Sequence, residues 1–169
     1  LSLLSDEQMK GLDLNWLCER AVGLDVEERV VRVADGEVTA SAIVIATGAR
    51  PRLLPGTPDA AGVHVLRTLA DATKLRDELA GDPKRVVVIG AGFIGSEVAA
   101  SAIDRGHEVT LIEAGAVAME RGLGSRIGAL CGALHNDHGV DLRLNTTVHS
   151  VRAAERTGGI GVTEVTLST

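Results

Sequence analysis

The chain has 169 residues, enough for one ordinary domain or two small ones, and its 45% hydrophobic and 24% charged residues are typical of a soluble globular protein. With one Phe, one Trp and no Tyr, its core must be aliphatic, which argues against an aromatic platform for single-stranded nucleic acid. The net charge of −6 likewise argues against a phosphate-backbone partner. Cys18 and Cys131 lie far apart with no CxxC spacing, so they predict two buried, reduced thiols, not a redox loop or a zinc site. The five histidines show no metal-ligand spacing; His135 and His138 read as imidazoles on a helix surface. No apolar run reaches the roughly 18 to 20 residues needed to cross a bilayer. The start, Leu1 to Glu7, lacks the basic flank and apolar stretch of a signal peptide. A cytoplasmic location is expected.

In chain order, residues 12–45 read as a series of short strands. Leu12, Leu14 and Trp16 alternate with polar neighbours, and the runs Arg20–Leu24 and Arg29–Val33 follow. Asp35-Gly36 is the signal of a tight hairpin turn. Ile43–Ala46 is a continuous apolar run, expected as a strand buried on both faces. Gly48, Pro51, Pro55, Gly56 and Pro58 then end regular structure and suggest a connection between two units.

From residue 69 the periodicity changes. Leu69, Ala72, Leu75 and Leu79 predict an amphipathic helix closed by Gly81 and Pro83. Arg85–Ile89 predicts a strand, Phe93–Asp104 a helix ended by Gly106, and Val109–Ile112 a second buried strand. This is the parallel strand–helix–strand crossover. Beyond it, Ser125–His138 reads as a helix ended by Gly139, and 140–144, 146–151 and 161–167 read as strands.

The central motif is the turn Gly90-Ala91-Gly92-Phe93-Ile94-Gly95, set between that first strand and its helix. A lone GxGxxG is weak, but here strand, helix and second strand all stand where a dinucleotide fingerprint needs them. Gly90 permits the turn, Gly92 lets the backbone approach a pyrophosphate, and Gly95 lets helix and strand pack closely. The amides at the helix N-terminus would face the phosphates. Glu113 ends the second strand, where a carboxylate accepts hydrogen bonds from a ribose diol and repels a 2′-phosphate. Ala114, Gly115 and Ala116 after it carry no base, so NAD is favoured over NADP. Arg121 is placed to reach the adenosine end.

Several segments together resemble one family: Ile45-Ala46-Thr47-Gly48-Ala49-Arg50-Pro51-Arg52, then Gly62 to Thr68, the glycine turn, and His138-Gly139-Val140-Asp141-Leu142-Arg143. In this order they are similar to the FAD-dependent ferredoxin, rubredoxin and putidaredoxin reductases of the pyridine nucleotide-disulfide oxidoreductase superfamily. The resemblance implies an α/β fold: a Rossmann-like NAD-binding βαβ domain over 69–169, C-terminally incomplete, with part of an FAD-binding domain, including a short β meander, over 1–68. It implies that Thr47 and Gly48 lie against FAD, that Arg67 contacts the flavin cofactor, and that Ala21 touches its adenine. Glu97, in the helix's first turn, would face the isoalloxazine, with Phe93 near the nicotinamide. It further implies hydride transfer from NADH to FAD, then electron transfer to a ferredoxin- or rubredoxin-like acceptor, present here as a fragment. A non-catalytic NAD(H)-binding module and an inactive truncated product stand as alternatives.

Overall fold

A computed structural model describes residues 5–156 and 159–168; Leu1–Leu4, where the signal-peptide question falls, lie outside the described residues. Contacts divide the chain into two compact units, Leu1–Gly48 and Ala49–Thr169. This break precedes the expected 68/69 boundary.

The first unit opens with a helix absent from the sequence expectation, α1 (Asp6–Lys10). Ser5 caps it: its hydroxyl accepts from the Gln8 amide, and the Gln8 side chain accepts from the Ser5 amide, at 3.2 and 2.8 Å. Three short strands follow, β1 (Gly23–Asp25), β2 (Val30–Val33) and β3 (Gly36–Thr39), paired antiparallel in that order. Asp25 shapes the first turn by accepting the amides of Glu27 and Glu28 at 3.1 and 3.0 Å.

Three expectations need correction in this unit. The second turn is Ala34-Asp35, because Val33 pairs with Gly36 and the glycine is the first residue of β3. Leu12, Leu14 and Trp16 form no strand, and Trp16 is 70% exposed. Ile43–Ala46 is irregular, with Val44 87% exposed. A strand buried on both faces needs ladder partners and covering layers; among the described residues the unit's sheet is β1, β2 and β3.

The second unit carries the helix α2 (Leu69–Glu78), started by a capping box between Thr68 and Asp71. Hydrogen bonds from Thr68 hold the Asp71 carboxyl below its usual range. Leu75 and Leu79 pack into the core, whereas Leu69, expected on the same face, is exposed. At the far end Lys84 Nζ donates to the Glu78 carboxylate and carbonyl at 2.6 and 2.7 Å, fixing the entry to the next strand.

A parallel sheet runs β4 (Arg85–Ile89), β5 (Glu108–Ile112), β6 (Asp141–Arg143), with Val86 opposite Val109 and Leu111 opposite Leu142. Its crossovers are α3 (Phe93–Asp104) and α4 (Glu120–Asp137). The core is aliphatic as composition required: Leu79, Ala99, Ala102, Val109, Leu111 and Val140 are buried together, with Val86, Val88 and Leu142 against them. His107 is buried beside it with both ring nitrogens used: Nδ1 accepts from the Lys84 amide and Nε2 faces the Leu79 carbonyl, each at 3.1 Å. That pairing makes Nε2 the protonated nitrogen.

The fourth helix begins earlier than the expected Ser125. Gly124 (φ 73°, ψ 167°) is non-helical, so a short first piece and a longer second piece meet there. A Cβ on Gly128 would run into the Ala118 carbonyl and the Val117 side chain, and one on Gly132 would lie 3.1 Å from Leu142. Gly128 lets α4 lie against the loop at Val117 and Ala118, and Gly132 lets it lie against β6. His135, on this helix, has its pKa lowered by burial and by the nearby His138. Cys131 is half-buried and Cys18 exposed, so neither is the fully buried thiol expected.

The chain continues into a long antiparallel hairpin, β7 (Thr147–Arg156) with β8 (Gly159–Ser168). The Val162 amide donates to the Ala61 carbonyl at 3.1 Å, tying this hairpin to the segment before α2. Among the described residues no helix is long and apolar enough to cross a membrane, and no group of three or more His, Cys, Asp or Glu is placed to hold a metal.

Candidate dinucleotide site

The site is built at the carboxyl ends of β4 and β5. Gly90 leaves β4 with φ 98°, a conformation other residues rarely adopt, and its amide donates to the Ile112 carbonyl at 2.8 Å. Ala91 is fully buried. Its carbonyl accepts from the Met119 amide at 2.8 Å, which ties the loop after β5 to the turn. Gly92 is the N-cap of α3 and supplies no side-chain cap; a Cβ there would meet nothing within 4 Å. Gly95 is the opposite case, because a Cβ there would collide with the Gly90 carbonyl.

This divides the turn's donors. The Gly90 and Ala91 nitrogens are already committed. Among the described residues, the amides of Gly92, Phe93, Ile94 and Gly95 have no hydrogen-bond acceptor. Four unpaired N–H groups at a helix start, with the positive end of its dipole behind them, form an anion-binding surface. The open space at Gly92 lies on this surface.

Glu113 points at the turn. Its Oε2 accepts from the Ala91 amide and its Oε1 from the Gly115 amide, both at 2.8 Å. Its backbone extends the sheet: the Glu113 amide donates to the Arg143 carbonyl at 2.9 Å, and its carbonyl accepts from the Thr146 amide at 3.0 Å. The carboxylate is half-buried.

The remaining predicted residues are exposed, each within its own unit. The Phe93 ring, 53% exposed, lies over Gly122, where a Cβ would strike the ring. Ile94 is exposed on the first turn of α3. Glu97 is also exposed, but it is the fifth residue of α3 and lies just past the first turn, which contains no acid, rather than within it as expected. Arg121 is exposed in the first piece of α4, just after the Met119 anchor. In the first unit, Ala21, Thr47 and Gly48 are exposed in irregular chain, Gly48 with φ 77°. Arg67, in the second unit, donates from Nε to the Ala49 carbonyl at 3.1 Å, and its amide donates to Asp71. Ser96, not singled out in the sequence, is buried on α3 with an unpaired hydroxyl.

The family model described as pyridine nucleotide-disulphide oxidoreductase matches residues 5–169. The chain belongs to this family. A curated relative, the ferredoxin–NAD(+) reductase component of an anthranilate 1,2-dioxygenase system from Burkholderia cepacia, is 40% identical over 147 residues, covering 86% of this chain and 36% of the relative. Among solved structures, a ferredoxin reductase from Rhodopseudomonas palustris superposes with a TM-score of 0.79 at 30% identity, over 99% of this chain and 41% of that one. The reductase of a covalent putidaredoxin reductase–putidaredoxin complex gives a TM-score of 0.71 at 35% identity, over 88% of this chain and 36% of that one. The chain spans about a third of the length of the curated relatives it matches. As members of an oxidoreductase family, these relatives share with it the mixed fold of parallel sheet and antiparallel strands.

Proposed function

We propose that this chain is the NADH-binding portion of a flavoprotein reductase that takes hydride from NADH onto FAD and passes electrons to a ferredoxin- or rubredoxin-like acceptor. The observation that carries the reading is the pairing of two features at one turn: four unpaired amides, Gly92 to Gly95, and the Glu113 carboxylate turned toward them. A diphosphate fits the amides, and the open side of Gly92 leaves room for it. A ribose diol fits the carboxylate, whose oxygens each accept only one bond from the protein. A 2′-phosphate would face that negative charge, and residues 114–118 offer no base to compensate, so NADH is the preferred cofactor.

In this reading residues 1–68 contribute to the FAD domain and 69–169 to the NAD domain. Thr47, Gly48, Arg67 and Ala21 stand toward FAD, Glu97 and Phe93 toward the flavin and nicotinamide, and Ile94 and Arg121 toward the phosphates and adenosine. When bound, NADH and FAD would supply the redox chemistry, hydride transfer followed by release of single electrons to the acceptor protein. The side chains bind and orient. The names of the relatives support NAD(+) and a ferredoxin as the partners, since they are ferredoxin–NAD(+) and putidaredoxin reductases.

The purified chain tests this directly by its absorbance and by titration with NADH and NADPH. A flavin spectrum with NADH preferred supports the reductase. A colourless protein that binds NADH in preference to NADPH supports the dinucleotide site alone and leaves a non-catalytic binding module as the second reading, whereas a protein that binds no NADH refutes the proposal. Glu113→Arg is expected to weaken NADH and strengthen NADPH binding, and an unchanged preference defeats the ribose assignment.

A further inference from the structure

Glu113 is held at both ends of its carboxylate. Both carboxylate oxygens are engaged by main-chain donors from different loops: Ala91 of the glycine turn and Gly115 of the loop after β5. That second loop is itself fixed. The Gly115 carbonyl accepts from the Asn145 amide at 2.9 Å, and the Met119 amide donates to Ala91. The Gly115 backbone also lies close enough that a Cβ there would stand 3.3 Å from Glu113 Oε1. Side-chain rotation would therefore break two charge-assisted bonds at once.

We propose that Gly115 is a positioning residue for cofactor selection, and that the chain rejects a 2′-phosphate because Glu113 is clamped as well as because it is charged. An acid free to rotate can swing aside and let solvent screen it, which relaxes discrimination. A clamped acid keeps its charge at the ribose 2′ position whichever dinucleotide arrives. The same clamp means that NADH meets a carboxylate already in place, with no side-chain ordering left to occur on binding. The inference rests on the ribose reading of Glu113.

The test compares dissociation constants for NADH and NADPH in the wild-type chain, Gly115→Pro, Gly115→Ala and Glu113→Ala. Proline removes the donor to Oε1, whereas alanine keeps it. Gly115→Pro should lower NADH affinity and the preference for NADH by about tenfold, the size expected for one charge-assisted hydrogen bond. Gly115→Ala should hold the preference within about twofold, a shift small beside the loss of one such bond. Glu113→Ala should abolish it. If Gly115→Pro keeps the wild-type preference while Glu113→Ala loses it, the clamp is refuted and the ribose reading survives. If Glu113→Ala also keeps it, the ribose reading fails and the clamp falls with it. Amide hydrogen exchange without cofactor guards against a proline variant that does not fold. The Ala91 and Gly115 amides should be protected in the wild type and exchange faster in Glu113→Ala; equal exchange in the two overturns the proposal.

Discussion

Replacing Gly92 with aspartate should push folding and cofactor binding in opposite directions. The position is an N-cap with extended backbone (φ −79°, ψ −173°), no side-chain cap, and nothing within 4 Å of the added Cβ. An aspartate there can accept one of the unpaired amides and place negative charge at the positive end of α3. Gly-to-Asp at an N-cap adds a few tenths of a kcal/mol, and the dipole term adds about 0.3–1 kcal/mol. The sum of about 0.5–1 kcal/mol corresponds to a melting temperature higher by roughly 1–4 °C in a chain of this size. The same carboxylate occupies the amides that the diphosphate would use. Two unit charges about 4 Å apart at an effective dielectric of about 20 repel by about 4 kcal/mol. Halving that for screening by salt still leaves a loss of about 30-fold in NADH affinity. Thermal unfolding and NADH titration of Gly92→Asp check both arms. A variant that binds NADH as well as the parent refutes the assignment of this glycine to ligand approach, and one that melts lower refutes the capping argument.

Other residues give independent checks. His107→Ala leaves the Lys84 amide and Leu79 carbonyl unpaired in a buried place and should cost about 2–4 kcal/mol, read from the urea midpoint. Gly128→Ala gains about 1 kcal/mol of helix propensity but drives a Cβ into the Ala118 carbonyl, so a net loss of about 1–2 kcal/mol in thermal unfolding is expected. The Asp141 carboxyl is held below its ordinary 3.8, first by its hydrogen bond from Arg143. A depressed folded pKa contributes stability above the unfolded value and loses it as pH falls through the folded one. Arg143→Ala should therefore flatten the acid-side decline of stability, measured by urea unfolding at a series of acidic pH values.

Much of the second unit could be read from sequence because its signals are local. The β-branched run of β4, the breaker-free α3 and the Gly106 stop leave little choice of boundary, and α3 spans Phe93–Asp104 as expected. Where structure depends on partners distant in sequence, the reading failed. Ile43–Ala46 has the composition of a buried strand, but composition does not supply neighbouring strands, and the segment is irregular in its unit. Residues 12–16 alternate correctly, yet among the described residues they join no strand. The first piece of α4 was hidden by Gly122 and Gly124, which look like breakers; Gly122 instead seats Phe93, and Gly124 is the kink.

The site divides in the same way. The roles of Gly90 and Gly95 follow from the motif, because φ and close packing are properties of the turn itself. Neither the pair of hydrogen bonds from main-chain amides to Glu113 nor the Met119 anchor on Ala91 has any side-chain signature. Both are made by backbone nitrogens whose positions depend on the whole crossover. The free amides begin only at Gly92, since the sheet takes Gly90 and the acid takes Ala91.

Nitrogen-15 NMR of the labelled chain during NADH titration follows these amides one at a time. Saturable shifts concentrated at Gly92, Phe93, Ile94 and Gly95, with a smaller response at Gly115, are the expected result. Saturable binding that leaves those four signals unmoved would contradict the placement of the dinucleotide on this turn.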